Sequence, residues 1–168
     1  MSDLELLLGQ HPFSSTFEVR YFQRLVRCAQ LLDAEQGEYL WRQGDPAERL
    51  FLLCEGAVSL EISLPHLGPV RIETINAREI VGSAWEPTSR WPFDARAIEP
   101  VKAAVLDMAS IRRLSDGDPA FGYEFLKRVT PVVARRLQSA RLRRFEDMTG
   151  SAAPTFTGEA TFRLHPAK

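Results

Sequence analysis

The sequence predicts a mainly β fold, a jelly-roll-like β-roll of short strands with one helix before it and a pair of helices after it. Three observations support this fold class. Between positions 31 and 108, short apolar runs alternate with clusters of glycine and proline, which is typical of sandwiches and rolled barrels. Residues 16–30 carry apolar side chains at helical intervals. Asp118 followed by Pro119 indicates a helix start, because Asp caps a first turn and proline is tolerated in it.

The N-terminal part is expected to hold a lead-in, residues 1–15, and then an amphipathic helix over residues 16–30. Ser15 and Glu18 have the spacing of a capping box at the start of that helix. Its apolar face is predicted to consist of Val19, Phe22, Val26 and Ala29.

The β-roll, counted with its N-terminal helix, is expected over residues 16–108. Its predicted strands are 38–42, 50–54, 57–63, 69–75, 79–82 and 93–106. Turn clusters such as Gly44-Asp45-Pro46 separate them, because glycine accepts positive φ and proline fixes its own φ.

The C-terminal helices are expected over residues 109–148. Pro131 lies inside this segment, and an interior proline removes one backbone hydrogen bond and clashes with the preceding turn. We therefore expect a kink or a break there, with a short helix before it and a long one after it. Residues 149–168 show no helical pattern and are expected to form an extended or disordered tail.

Composition and charge argue against several classes of protein. The net charge of −1 creates no global field that would draw the chain to nucleic acid or to a membrane. No apolar run is long enough to predict a membrane span, and the N-terminus is too acidic for a signal peptide. The two cysteines, Cys28 and Cys54, lie in apolar surroundings, which predicts reduced thiols and a cytoplasmic protein.

Catalytic and metal-binding motifs are missing from the sequence. Its histidines, His11, His66 and His165, each fall in a different loop or tail, whereas metal-dependent barrels cluster histidine with carboxylates. No His-x-His, Cys-x-x-Cys, Gly-x-Ser-x-Gly or P-loop pattern occurs. We therefore expect a protein without enzymatic activity and without a bound metal, and these motifs assign no cofactor to it.

The most informative stretch is residues 37–58. It reads Gly37-Glu38-Tyr39-Leu40, Gly44-Asp45-Pro46-Ala47, Leu50-Phe51-Leu52-Leu53 and Gly56-Ala57-Val58. The order is turn, buried strand, glycine break and amphipathic strand. In the spacing of three glycines and five apolar positions it resembles the cyclic-nucleotide-binding domain family, which includes the catabolite activator protein and the regulatory subunit of cAMP-dependent kinase.

The resemblance covers about residues 10–146 and implies a cyclic-nucleotide-binding-type β-roll followed by two helices, the second of which moves or dimerises. It also implies a phosphate site in a segment of the form F-G-E-x-A-x(6–8)-P-R-x-A-x-V. In that segment, backbone N–H groups and the arginine bind the phosphate, and the glutamate holds the ribose hydroxyl.

On this chain the resemblance implies a divergent pocket. The candidate residues are Gly82, Ser83, Ala84, Trp85, Trp91, Phe93, Ala95 and Arg96. Gly82 matches the glycine of the family's segment, but Ser83 stands in place of the glutamate and Phe93 in place of the arginine. Losing one partner of a charged hydrogen bond in a desolvated site costs about 2–5 kcal/mol. The resemblance therefore implies weak binding of cAMP or none, with a cyclic nucleotide or another small anion as the candidate ligand.

Several of these residues can have either of two roles. Trp85 and Trp91 bracket the candidate phosphate loop, and each either stacks on a base or closes the end of the roll. Ser83 either donates to a phosphate or caps the turn. Arg96 lies three positions past Phe93, so it points to the opposite face of a regular strand and reaches an anion only through a bulge.

The long C-terminal helix is predicted to carry an apolar stripe at heptad spacing, Leu126, Thr130, Val133, Leu137 and Ala140. The resemblance favours a parallel homodimer through Val133, Leu137 and Ala140, with Pro131 as a hinge. The alternative is a lid on the chain's own roll. The same helix carries a basic cluster, which either contacts nucleic-acid phosphates or forms a solvated face. Its members are Lys127, Arg128, Arg135, Arg136, Arg141, Arg143 and Arg144.

We interpret the chain as a non-catalytic regulatory module, a ligand sensor or a dimeric signalling protein with a degenerate cAMP site. The alternative is a transcription-regulator-like protein that contacts nucleic acid, either through the basic helix or through a partner protein. Sequence-specific DNA binding is not expected, because the 20 residues at 149–168 are too few for a winged helix.

Overall fold

The computed structural model describes residues 2–82 and 88–149, and the strands in this part of the chain form two four-stranded antiparallel sheets. The strands are β1 (Ala29–Ala34), β2 (Tyr39–Trp41), β3 (Arg49–Glu55), β4 (Ala57–Leu64), β5 (Gly68–Asn76), β6 (Ile80–Val81), β7 (Asp94–Ala97) and β8 (Val101–Asp107). The first sheet has the order β1-β8-β3-β6 and the second has the order β2-β7-β4-β5. The predicted mainly β roll with flanking helices is confirmed.

Side chains from both sheets meet in an apolar core inside the roll. Phe51 and Leu53 of β3 lie there with Val58 of β4, and all three are at most 1% exposed. Because side chains alternate along a strand, the neighbouring Leu50 and Leu52 of β3 turn the other way and join a second cluster with the helices. The central strands β3 and β8 of the first sheet are therefore buried on both faces, whereas β1 at its edge has no fully buried residue.

Four helices are described, α1 (Asp3–Gln10), α2 (Val19–Arg27), α3 (Met108–Gly117) and α4 (Pro119–Thr149). Each of them contributes a fully buried side chain to the second cluster, namely Leu8, Leu25, Ile111 and Phe121 in that order. No helix in the described ranges is long and apolar enough to cross a membrane.

The chain divides into two compact units, Met1–Val132 and Val133–Lys168. The first unit contains both sheets, α1 to α3 and the beginning of α4. What is described of the second unit is the remainder of α4.

The N-terminal capping box lies on a different helix from the one predicted. Ser2 and Glu5 form it at the start of α1, where the Ser2 hydroxyl accepts from the Glu5 N–H and the Glu5 carboxylate accepts from the Ser2 N–H at 2.7 Å. At α2 the cap residue is Glu18, which makes no side-chain capping bond. The capping box predicted from Ser15 and Glu18 is therefore wrong.

Two predicted elements are divided by long-range strand pairing. The helix predicted over residues 16–30 ends at Arg27, because Ala29 already pairs with β8 as the first residue of β1. The strand predicted over residues 93–106 is two strands, β7 and β8, because the chain turns at positions 98–100 between the two sheets. The other five predicted strands match β2 to β6 to within two residues at each end.

The predicted break at Pro131 is wrong, because α4 continues through it. An interior proline costs a helix about 3 kcal/mol. That cost is tolerated here because the helix has 31 residues and buries Phe121 and Phe125 completely. The Thr130 hydroxyl also donates to the Leu126 carbonyl at 2.8 Å, in the turn before the proline.

The predicted pair of C-terminal helices is present, but Asp118 divides it. The Asp118 carboxylate accepts from the Phe121 N–H at 3.2 Å, and Pro119 is the first residue of α4. This confirms the helix start read from the Asp-Pro pair.

Gly56 connects β3 to β4 in a conformation that favours glycine, with φ of 78°. A Cβ at this position would lie 2.1 Å from the Pro100 carbonyl oxygen, which belongs to the turn between β7 and β8. The crossing of these two connections therefore requires a residue without a side chain.

We expect Gly56→Ala to lower the free energy of unfolding by roughly 2–4 kcal/mol, because it adds backbone strain to a steric overlap. Urea unfolding followed by circular dichroism measures this loss. Gly117→Ala is the matched control, since a Cβ there meets no atom within 4 Å. If both substitutions lowered the free energy of unfolding equally, the close approach of Gly56 to Pro100 would not be the cause of the loss.

Candidate ligand pocket in the β-roll

Gly82 begins the candidate phosphate loop directly after β6. Its φ is 110°, and a Cβ would lie 2.7 Å from the Arg49 carbonyl oxygen and 3.1 Å from the Trp91 ring. The chain therefore needs glycine at this point to pass between β3 and the indole. Ser83, Ala84 and Trp85 follow within positions 83–87, outside the described residues, so their roles stay predictions.

Trp91 lies inside the end of the roll in an aromatic cluster. Its ring stacks on Trp41 with a centroid separation of 4.1 Å, and the Phe51 ring is 4.8 Å from Trp41. Both indoles are 7% exposed, and the Trp41 N–H donates to the Phe93 carbonyl at 2.9 Å. Trp91 therefore fills space between the sheets with apolar surface, which is the arrangement expected of a residue that closes the roll.

β7 carries the next candidate residues on alternating faces of the second sheet. Ala95 is fully buried in the roll core, opposite Leu60 of β4. Arg96 is the next residue and pairs with Ser59 in an uninterrupted register, so no bulge between β7 and β4 turns it inward. Its guanidinium lies on the outer face of the sheet. Phe93 precedes the strand and is half-buried.

Arg96 is held by an ion pair that sequence analysis missed. Its guanidinium donates to the Glu61 carboxylate at 2.9 Å, and this hydrogen bond raises the pKa of Arg96. The Glu61 side chain is 3% exposed and the Arg96 side chain 35% exposed. The alternation of Ser59 and Glu61 with apolar residues indicates a polar face, but both are buried because long arginine side chains lie over that face.

Asp94 has a structural role beside this ion pair. Its side chain is buried, with 4% of the residue exposed. It accepts from the Gln43 N–H at 2.7 Å and from the Arg42 guanidinium at 3.0 Å. Asp94 therefore ties β7 to the turn that follows β2. Within residues 2–82 and 88–149, no three His, Cys, Asp or Glu side chains are grouped to hold a metal.

A comparison with protein families identifies the fold. The family model described as "Cyclic nucleotide-binding domain" matches residues 31–118, more than half of the chain. This chain belongs to the cyclic nucleotide-binding domain family. The resemblance seen in the sequence is therefore confirmed.

Solved structures share the fold at low sequence identity. A cyclic nucleotide-binding domain from Methylobacillus flagellatus KT is 22% identical with a TM-score of 0.66, over 94% of this chain and 85% of that one. The N-terminal domain of a transcriptional regulator from Streptomyces coelicolor A3(2) is 20% identical with a TM-score of 0.63, over 86% of this chain and 99% of that one. At these identities the likeness describes the fold alone.

One curated relative is much longer than this chain. Neuropathy target esterase sws from Drosophila persimilis is 27% identical over 130 residues, which are 73% of this chain. The chain spans 9% of that protein's length. The esterase name therefore describes a protein most of which has no counterpart in the matched segment.

The residues proposed for dimerisation lie on α4. Val133 is 47% exposed and Leu137 is 52% exposed, and Ala140 is also exposed. Pro131 precedes Leu137 by more than one helical turn and lies inside the continuous helix. Their roles as a dimer contact and a hinge stay predictions.

The basic cluster of α4 is partly neutralised by Glu124, one turn before it. The Glu124 carboxylate accepts from Arg128 at 2.5 Å and from Lys127 at 3.1 Å, and these bonds lower the pKa of Glu124. Arg128 also donates to the Thr16 carbonyl at 2.9 Å. Arg128 therefore joins α4 to the segment before α2, and this role weakens its case as a nucleic-acid contact.

We expect Arg96→Gln to lower the free energy of unfolding by roughly 2–3 kcal/mol, because it leaves the buried Glu61 carboxylate without its charged partner. Chemical denaturation provides the measurement. Arg20→Gln is the control, since the Arg20–Glu18 pair is exposed at both ends and should contribute less than about 1 kcal/mol. Equal losses in the two variants would mean that Arg96 is an ordinary surface arginine.

Proposed function

We propose that this chain is a non-catalytic regulatory module whose β-roll does not bind cAMP tightly and whose output passes through α4 in a homodimer. Its family is defined by a binding domain, and the chain carries that domain over residues 31–118.

The orientation of Arg96 is the observation that carries the proposal. In the family pattern an arginine follows the proline and reaches the ligand phosphate, and here Phe93 has that position. Arg96 lies three positions further on, in β7, but it faces away from the roll core and is paired with Glu61. A phosphate at this point would meet an aromatic ring in place of a charged donor.

The aromatic cluster is a second reason to expect that the roll binds cAMP weakly. Trp91 packs beside Gly82 and stacks on Trp41, so apolar rings fill the end of the roll next to the phosphate loop. An anion placed against this surface would lose its hydration without gaining a charged hydrogen bond, which is strongly unfavourable. The described residues therefore do not fit a cyclic phosphate at position 93. A different small anion on the loop at 83–87 is compatible with the proposal.

We expect the wild-type chain to bind cAMP with a dissociation constant weaker than about 100 μM, because two charged anchors are replaced. Isothermal titration calorimetry measures it. The double substitution Ser83→Glu with Phe93→Arg should tighten binding at least about tenfold, since one charged hydrogen bond is worth more than 1.4 kcal/mol.

The control for this titration is Ser83→Gln with Phe93→Gln, which adds polar groups without charge. Low-micromolar or tighter binding of cAMP by the wild-type chain would refute the degenerate site. A charged double variant no better than the neutral one would show that the family's phosphate position is not at residue 93.

The homodimer is proposed from the exposed stripe on α4. Val133 and Leu137 are separated by four residues, so they lie on one face of the helix with about half of each side chain exposed. Two helices that share such a stripe bury it by pairing. A ligand bound to the roll would shift this arrangement only by its difference in affinity for the two states.

We expect Leu137→Glu to give a monomer that keeps its β-sheet signal, because a carboxylate in a dry helix–helix contact is unpaired and desolvated. Light scattering at tens of micromolar, beside circular dichroism, distinguishes association from folding. Gln138→Glu adds the same charge one position along the helix, and the protein should keep the molar mass of a dimer in light scattering. A wild-type chain that is already monomeric would exclude the dimer and favour a lid on the chain's own roll.

A further inference from the structure

A cleft of about 720 Å³ lies outside the β-roll, between the last turn of α2, the helix α3 and the first residue of α4. Three arginines line it, Arg24 and Arg27 from α2 and Arg113 from α3. All of these residues belong to the first compact unit. We propose that this cleft binds a small ligand through a phosphate group.

One of the three arginines is neutralised within the cleft. The Arg24 guanidinium donates to the Asp118 carboxylate at 2.5 Å. Asp118 also caps α4, and the hydrogen bond from the Phe121 N–H, followed by that from Arg24, lowers the pKa of Asp118. This pair fixes the wall where α2 meets the start of α4.

The other two guanidiniums line the cleft and are less fully bonded, although the charge of Asp107 acts on Arg113. No hydrogen bond or ion pair to Arg27 is found among the described residues. Arg113 donates to the Ser110 hydroxyl at 2.9 Å, and that hydroxyl in turn donates to Asp107. A guanidinium carries five N–H donors, so this single bond leaves most of the Arg113 fork available.

The placement of Arg113 argues against a purely structural explanation. Arginines in the last turn of α2 are favourable there because they face the negative end of the helix dipole. That effect explains Arg24 and Arg27, but α3 has no basic residue in its last turn. Arg113 converges on the same cleft from the middle of a different helix.

Phosphate fits this set of donors better than carboxylate. One guanidinium satisfies a carboxylate, which has two oxygens and one charge. A phosphate monoester offers three terminal oxygens and nearly two charges, and a diphosphate offers more of both, which matches two guanidiniums on separate helices. The volume lies in the range of small-molecule sites, and Leu114 and Pro119 provide apolar wall for the rest of the ligand.

Pyrophosphate is the probe for calorimetric titration of the whole chain. We expect a dissociation constant of about 1 mM or tighter for the wild type, and a loss of roughly tenfold or more in Arg27→Gln and in Arg113→Gln. Arg20→Gln lies on the same helix outside the cleft and removes the same charge, so it should change binding by less than about twofold.

Cys28 supplies a second measurement at the same site. Its thiol lines the cleft, and burial raises its pKa, so labelling with iodoacetamide is run at high pH. In a Cys54→Ser background, pyrophosphate at about ten times its dissociation constant should slow the alkylation of Cys28 roughly tenfold, since only the free protein reacts.

Three outcomes would overturn the proposal. One is no heat of binding at millimolar pyrophosphate, and another is an equal loss of affinity in Arg20→Gln, which would indicate diffuse charge. The third is binding that leaves the alkylation of Cys28 unchanged. Circular dichroism of each variant separates these results from unfolding, and a positive result here is independent of whether cAMP binds the roll.

Discussion

β3 and β8, the central strands of the first sheet, are buried on both faces, and the rest of the structure depends on that constraint. Each of them places alternate side chains in the roll core and under the helices. Leu52 and Ala104, opposite each other in the register, both face the helices and are fully buried. Removing the helices would expose this surface, so α1 to α3 and the beginning of α4 belong to the fold of the first unit as much as the strands do.

The second sheet has one buried face, and its outer face is where polar residues gather. Glu61 and Asp94 are nearly inaccessible there because Arg96 and Arg42 lie over them. One oxygen of the Glu61 carboxylate has no hydrogen-bond partner within the described residues. The charge of Arg96 is therefore used between strands, and the inside of the roll is left to aromatic packing around Trp91.

Most of the fold could be predicted from the sequence because its signals are local. Strand alternation around Val58 and the Asp118-Pro119 helix start depend only on neighbouring residues. The errors came where distant residues compete with local preference. Ala29 fits a helical pattern but pairs with Leu106 of β8, which lies 77 positions further along the chain. Pro131 weakens a helix locally, yet the helix around it is long enough to tolerate the proline.

By itself the sequence determined the family and most of the sheet-forming segments, since each of these is a matter of residue type at a fixed spacing. It also has Ser83 and Phe93 at the two positions where the resemblance implies polar anchors. Only the tertiary structure decided that Trp91 stacks on Trp41, that Arg96 pairs with Glu61 and that three arginines from two helices line one cleft. These contacts join residues far apart in the chain. Which of the possible partners meet depends on strand register and helix packing, which no local pattern specifies.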